Sequence, residues 1–380
     1  MRAALLAVAF TDELATGVVP SGSPELLHAF ALTPARAAGW TLFAFGVLGA
    51  LLEPPLLALA HGRRERVLRV GGLALMAGAT LAAALAPSYA LLLAALALYG
   101  PASGVGTNLS EAALVAQAPQ RAEQVLARWA LLGALGDLVA PAALAASVAL
   151  GFGWRGALVA VGLLAALQAV EAARAPAGEG VEEEGGASLR EAVRVALRTP
   201  ALLGWSLAAV LCALMDEVIV AFGALFLAQR FGGDASLRAL VLSAGVAGAL
   251  LGALVLERVS AHVRPRTLLG VSGVGCGLAY GAWLWADTLP GSAVTLGAVG
   301  LFAAMHHPLL RARAFAVLPE RPNVVLAVGA LVSALELAVP LAVGAVADGV
   351  GVFAAMLVLF LQPLGVVLAA LMSKQERKSE

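Results

Sequence analysis

Apolar runs of about 20 residues recur along the whole length of this chain. That recurrence limits its architecture more than any other feature, because about 20 apolar residues in a helix cross the hydrocarbon core of a bilayer. Such segments lie near 3–24, 38–60, 67–86, 88–116, 124–149 and 153–173, then near 200–228, 236–256, 267–286, 290–312, 324–346 and 350–372. In hydrocarbon the backbone must satisfy its own N–H and C=O groups, which a helix does within a single segment. The composition fits, with 61% hydrophobic and 13% charged residues. The expected class is therefore an all-α integral membrane protein, with twelve transmembrane helices in two pseudo-symmetric six-helix bundles. Residues 1–174 form the first, 175–198 a linker, and 199–380 the second with a short tail.

Composition also removes other classes. Net charge is zero and no basic stripe carries interleaved aromatics, so a nucleic-acid partner has no electrostatic footprint. Cys212 and Cys276 are too few for a disulfide framework and sit in apolar runs, as small buried hydrophobes do. The opening run Ala3 to Phe10 has the look of a signal peptide, but Thr11-Asp12-Glu13 interrupts it and no convincing small-residue cleavage site follows. It is read as a retained first helix.

Between the two sets of segments lies the one clear linker, Ala175 to Arg198. It carries Glu182-Glu183-Glu184, a solvated acidic turn, then the amphipathic stretch Ser188 to Arg198. Orientation follows from Arg and Lys, which concentrate in cytoplasmic loops. All but four of the 24 basic residues fall on one side of a twelve-span threading; the exceptions are Arg36, Arg155, Arg230 and Arg238. Both termini and the linker are thereby placed in the cytoplasm, with the chain in the inner membrane.

The halves also resemble each other, as expected of a transporter assembled from repeats. Ala118-Pro119-Gln120-Arg121 followed by Leu135-Gly136-Asp137-Leu138-Val139-Ala140-Pro141 is echoed by Leu318-Pro319-Glu320-Arg321 and Leu335-Glu336-Leu337-Ala338-Val339-Pro340. Thr11-Asp12-Glu13 is echoed by Met215-Asp216-Glu217. Segments 1 and 7, and 5 and 11, are thus equivalent.

Those echoes are acidic, and acids are expensive there. An ionisable group at the centre of a spanning helix costs roughly 2.5–3.5 kcal/mol on the insertion scale, so Asp12, Glu13, Asp137, Asp216, Glu217 and Glu336 form the candidate proton or cation coupling set. Asp12 lies about 14 Å into a core of about 30 Å. Successive helical residues are about 100° apart, so Asp12 and Glu13 face different neighbours. No Lys lies in any span and Arg stays at the ends, which leaves the acids without an obvious deep counter-charge. Burial favours the neutral carboxyl in general, and a group so placed can load and release a proton. The competing reading is that individual acids cap broken helices or line a wet cavity.

Weaker candidates line the same paths. Asn108 and Glu111 in the fourth segment, Glu53 before Pro54-Pro55 in the second, and His306 and His307 in the tenth are substrate-cavity candidates. Adjacent histidines do not share a helix face, so no metal pair is expected, and no cofactor motif is present. Glycine-rich runs such as Gly245 to Gly252 read as packing faces.

With twelve helices, two halves and a cytoplasmic linker, the chain resembles the major facilitator superfamily over nearly its whole length. Ala60-His61-Gly62-Arg63-Arg64 keeps the Gly-Arg-Arg end of that family's loop element after helix 2 but lacks its Asp; Gly62, Arg63 and Arg64 are the implied cytoplasmic gating loop. Gly133, Gly136 and Pro141 are similar to the glycine-proline element of drug/proton antiporters, with Asp137 where a small residue is usual. Asp12-Glu13-Leu14, Leu52-Glu53-Pro54, Pro101-Ala102-Ser103-Gly104 and Ala127-Arg128-Trp129 resemble a bacterial branch near the fosmidomycin-resistance group. The resemblance implies a monomeric, proton-coupled, alternating-access transporter in a lipid bilayer. Its expected direction is efflux of a small amphipathic or cationic compound. Uptake of a nutrient or metal ion and a non-transporting membrane sensor are the alternatives; an intramembrane enzyme would need a reactive pair or metal cluster, and symmetric acids suit transport better.

The threading makes a direct prediction. In a chain lacking Cys212 and Cys276, Gly180→Cys is expected to react with a membrane-impermeant maleimide only in inside-out vesicles. Gly233→Cys should react only in right-side-out ones. Reaction of both in the same vesicles would show that a span has been miscounted.

Overall fold

A computed structural model describes residues 2–60, 63–117, 120, 122–174 and 189–372. Among them twelve helices are long and apolar enough to cross a membrane. In the first half these are Ala4–Ser21 (span 1), Ala35–Leu57 (span 2), Arg64–Leu85 (span 3), Tyr89–Ala116 (span 4), Gln124–Ala149 (span 5) and Gly153–Arg174 (span 6). The second half supplies Pro200–Phe231 (span 7), Ala235–Val259 (span 8), Pro265–Leu284 (span 9), Leu289–Val317 (span 10), Ala327–Val350 (span 11) and Val352–Leu371 (span 12). No described residue lies in a strand. Number and order agree with the hydropathy reading.

The ends shift where local chemistry overrides hydropathy. Span 1 stops at Ser21 instead of running on to 24, because Gly22 breaks it and Pro24 opens a separate helix, Ser23–Ala29. The Ser23 hydroxyl takes up the Pro20 carbonyl left over at the junction, at 2.8 Å. The third helix starts early, at Arg63. Glu65 and Arg69 pair at 3.3 Å one turn apart, and Arg69 is 2% exposed inside the helix.

The chain divides into two compact units. Unit 1 is Met1–Glu182 with Leu227–Ala239, and unit 2 is Glu183–Phe226 with Leu240–Glu380. In unit 1, span 1 packs on spans 4, 5 and 6, span 3 on spans 4 and 6, and span 2 on span 4. Met76, Leu92, Leu96, Tyr99, Leu158 and Val161 form its core. Glu25 and Arg238, both with largely buried side chains, form an ion pair within this unit. In unit 2, span 9 packs on spans 10 and 12, and the linker helix Leu189–Arg198 packs on span 11. Its core includes Leu202, Leu269, Leu310, Val328 and Val366.

Two arginines display the repeat in atomic form. Arg66 at the start of span 3 donates to the Ala173 carbonyl at the end of span 6, and Arg266 at the start of span 9 donates to the Ala370 carbonyl at the end of span 12. Each satisfies a C-terminal carbonyl that a helix cannot satisfy itself. Helix regularity, in contrast, is not shared by the halves. Span 7 passes from α-helix into a 3-10 turn, Leu211–Met215, and reaches Asp216 at φ −117°, ψ −115°. Span 11 has a 3-10 turn at Ala334–Ala338. Span 10 is interrupted at Ala304 and Met305, and span 12 at Leu359 and Phe360. Spans 1 and 5, the sequence equivalents of 7 and 11, are α-helical throughout.

Without water to drive helices together, close backbone approach supplies much of the attraction between them. A β-carbon at Gly248 of span 8 would stand 1.8 Å from the Gly297 carbonyl oxygen of span 10, a gap nothing but hydrogen fits. At Gly71, by comparison, nothing lies within 4 Å. Gly248→Val is therefore expected to lower the thermal midpoint in detergent by several degrees, in the range of overpacked core substitutions of about 1–3 kcal/mol. Gly71→Val should leave it within about one degree, since surface changes stay near ±0.5 kcal/mol.

Candidate functional site

Three consecutive residues of span 1 reach three different helices, as the 100° step of a helix requires. The Thr11 hydroxyl accepts a hydrogen bond from Gln168 Nε2 of span 6 at 2.7 Å and donates to the Ala7 carbonyl. Asp12 turns to span 4, where its Oδ1 accepts from Tyr99 Oη at 2.7 Å and Ser103 Oγ at 2.6 Å. Glu13 turns to span 5. A β-carbon at Gly133 would lie 3.3 Å from its Cγ, and one at Gly136 would lie 2.4 Å from the Phe10 carbonyl. The glycine element of span 5 is thus the surface against which span 1 and Glu13 lie. Asp137, on the same helix, has Oδ1 3.8 Å from the space a β-carbon on Gly17 would fill.

A second carboxylate joins Asp12 from span 2. Glu53 Oε1 accepts from Asn108 Nδ2 at 2.9 Å, and that amide also donates to the Gly104 carbonyl. A β-carbon at Gly104 would fall 2.0 Å from Glu53 Oε2, so glycine there is what allows the acid to approach. Glu53 and Asp12 are close enough to interact electrostatically. Glu111, one turn beyond Asn108, is half-buried. Asp12, Glu53 and Asn108 are therefore brought together, while Glu13 and Asp137 belong to the contact of spans 1 and 5. Of the implied gating loop, Gly62 lies outside the described residues; Arg63 opens the third helix, and Arg64 is exposed.

In unit 2 the acids sit on the interrupted helices. Asp216 ends the 3-10 turn of span 7, Glu217 begins the α-helix that follows, and both are exposed. Glu336 lies in the 3-10 turn of span 11 and is close enough to Asp216 to feel its charge. Cys212, one turn before Asp216, also feels both. The histidines part as adjacent residues must: His306 is fully buried and His307 exposed. Gln362 at the interruption of span 12 accepts from the Met215 N–H at 2.8 Å, and its Nε2 lies 3.1 Å from His306 Nδ1. Among the described residues, no cluster of three or more His, Cys, Asp or Glu is placed to hold a metal ion.

The partner roles of Tyr99, Ser103, Gln168 and Gln362 went unnoticed in the sequence, where Ser103 was read only as part of a family word. Tyrosine and serine are ordinary in spanning helices, and nothing marks these two before span 4 is laid against Asp12. The glutamines did carry a signal, since an amide in the middle of an apolar span must find partners there.

Two solved structures of a bacterial homolog to the human lysosomal transporter Spinster, both inward-facing, one unoccupied and one occupied, share 16% sequence identity with the chain. The unoccupied form superposes with a TM-score of 0.72 over 97% of this chain and 94% of that one. The occupied form gives 0.74 over 98% and 96%. The nucleoside transporter NupG, solved as a point mutant, gives 0.77 at 12% identity, over 98% of this chain and 99% of that one. At such identities the likeness is one of fold. No curated protein matches the sequence. The sequence itself matches the family described as Major Facilitator Superfamily over residues 5–339, and the chain belongs to that superfamily.

Proposed function

We propose that this protein is a proton-coupled secondary transporter that exports a small amphipathic or cationic compound by alternating access, as a monomer in the inner membrane with both termini in the cytoplasm. The observation that carries the reading is the setting of Asp12. Its carboxylate is midway along a spanning helix and takes two hydrogen bonds from neutral hydroxyls. A hydroxyl donates to an ionised carboxylate and can accept from a protonated one. Tyr99 and Ser103 can therefore serve both states, whereas an Arg or Lys partner would hold the acid ionised.

The second half supports the same chemistry by different means. Asp216 and Glu336 sit at helix interruptions, where freed backbone groups and carboxylates gather at mid-span, as in transporters whose coupling ions bind at discontinuous helices. Two like charges in an apolar neighbourhood cost energy that a proton or bound cation relieves. An acidic lining favours a cationic cargo over an anionic one. Glu13, Asp137 and Glu217 are assigned to coupling or gating around these two centres. Glu53, Asn108, Glu111 and His307 are assigned to the substrate path.

The test is proton flux in inside-out vesicles across a panel of cationic and amphipathic compounds. A compound that collapses the pH gradient with wild type is expected to do so at least tenfold more slowly with Asp12→Asn or Asp216→Asn at matched expression. The Ser103→Ala variant, which keeps Tyr99, should be slowed severalfold. If both Asn variants match wild type, proton exchange at these acids is wrong; if compounds drive alkalinisation in the opposite sense, the direction is uptake.

A further inference from the structure

The last span of each half sends one buried glutamine to the residue just before the acidic pair. In unit 1, Gln168 of span 6, 4% exposed, donates to the Thr11 hydroxyl. In unit 2, Gln362 of span 12, 1% exposed, accepts from the Met215 N–H. Thr11-Asp12-Glu13 and Met215-Asp216-Glu217 are the repeat-equivalent words. The arginine contacts pair Ala173 with Ala370 across the repeat. In that register Gln168 and Gln362 fall within one helical turn of equivalence. Threonine offers a hydroxyl and methionine does not, so in the second half the amide takes the main chain instead.

The orientation of Gln362 can be deduced. A backbone N–H only donates, so Met215 must face the amide oxygen, and the amide nitrogen must then face His306. That nitrogen also only donates, so Nδ1 of His306 must carry a lone pair, and its proton resides on Nε2. The other ring nitrogen, Nε2, is buried without a hydrogen-bond partner among the described residues. The Met215 N–H thus fixes which way the Gln362 amide faces, and the lone pair on His306 Nδ1 accepts from the amide nitrogen and holds it in place.

We propose that Gln168 and Gln362 are positioning residues, one in each half, that aim Asp12 and Asp216 by holding the residue in front of each, with His306 locking the amide of Gln362. In unit 1 the hold acts through the Thr11 side chain on a continuous helix. In unit 2 it acts on the main chain: the N–H that would have continued the α-helix of span 7 is taken by Gln362, and the next residue, Asp216, leaves helical geometry. The proposal rests on the reading of Asp12 and Asp216 as proton-carrying groups.

Its test needs no transport cycle. Rates of labelling of Asp12 and of Asp216 by a hydrophobic carbodiimide, resolved by peptide mass spectrometry across a pH series, are compared in purified full-length protein. Gln362→Met, close in shape but without hydrogen bonds, is expected to change the Asp216 rate at least threefold and leave Asp12 within a factor of about 1.5. Gln168→Met and Thr11→Val should do the reverse. His306→Asn, whose side chain can keep an acceptor near the position of Nδ1, should resemble wild type, and His306→Leu should resemble Gln362→Met. If either glutamine variant moves both acids together, its role is general packing and the proposal fails; it fails equally if neither acid responds. If the variants show this crossed pattern while wild type drives no proton flux, the proposed function is overturned and the positioning roles are left standing.

Discussion

Everything in this molecule answers to one constraint: within hydrocarbon there is no water to take up a backbone N–H, a carbonyl or a charge. Twelve helices satisfy most of it by closing their own hydrogen bonds. Part of what remains is met at a small number of places by identifiable partners. Arg66 and Arg266 take carbonyls at helix ends, Ser23 takes the one freed behind Pro20, and Gln362 takes the N–H freed at the break in span 7. The polar side chains that look out of place in an apolar sequence are the ones that make irregular backbone possible.

That constraint separates the halves. The sequence words around Asp12 and Asp216 are alike, and so are those around Asp137 and Glu336, yet only the second-half copies lie on broken helices. Proline alone does not account for the difference, because Pro141 lies inside a continuous α-helix while Pro340 follows the 3-10 turn of span 11. For spans 1 and 7 the proposed difference is the tertiary partner. Gln168 has a threonine hydroxyl to bond and leaves the helix of span 1 intact; Gln362 meets a methionine and bonds the main chain.

How much of this was legible beforehand depends on the kind of signal. Segment number and order could be read, as could the repeated words in segments 1 and 7, because length, hydropathy and repeated words are local. The separation of Asp12 from Glu13 and of His306 from His307 followed from the helical step alone. The extension of the third helix back to Arg63 did not, since Arg-Arg-Glu-Arg reads as loop until Glu65 and Arg69 are seen to neutralise each other one turn apart. The partners of the acids were also hidden. Tyr99 and Ser103 become meaningful only when span 4 is laid against span 1, and no spacing within the chain announces that pairing. Glu53 was noticed for its prolines, while the fact that admits it to the site is a missing β-carbon at Gly104, on another helix.

The two acidic centres are consequently unlike in backbone regularity, and this bears on how a duplicated protein can work asymmetrically. Asp12 is held by two hydroxyls on a continuous helix, so a change in its protonation is absorbed by rotating O–H groups, with no demand on the backbone. Asp216 stands at a break in helical order, exposed, with Glu336 nearby on a second irregular turn. Charge added or removed there acts on main chain that is already outside an α-helix, where a small change in dihedral angles needs no helical hydrogen bond to be broken first. On the proposed function, sensing at Asp12 and movement at Asp216 is the division of labour that these two settings favour, because hinges are the few loop or element-terminal residues that absorb a change in dihedral angles.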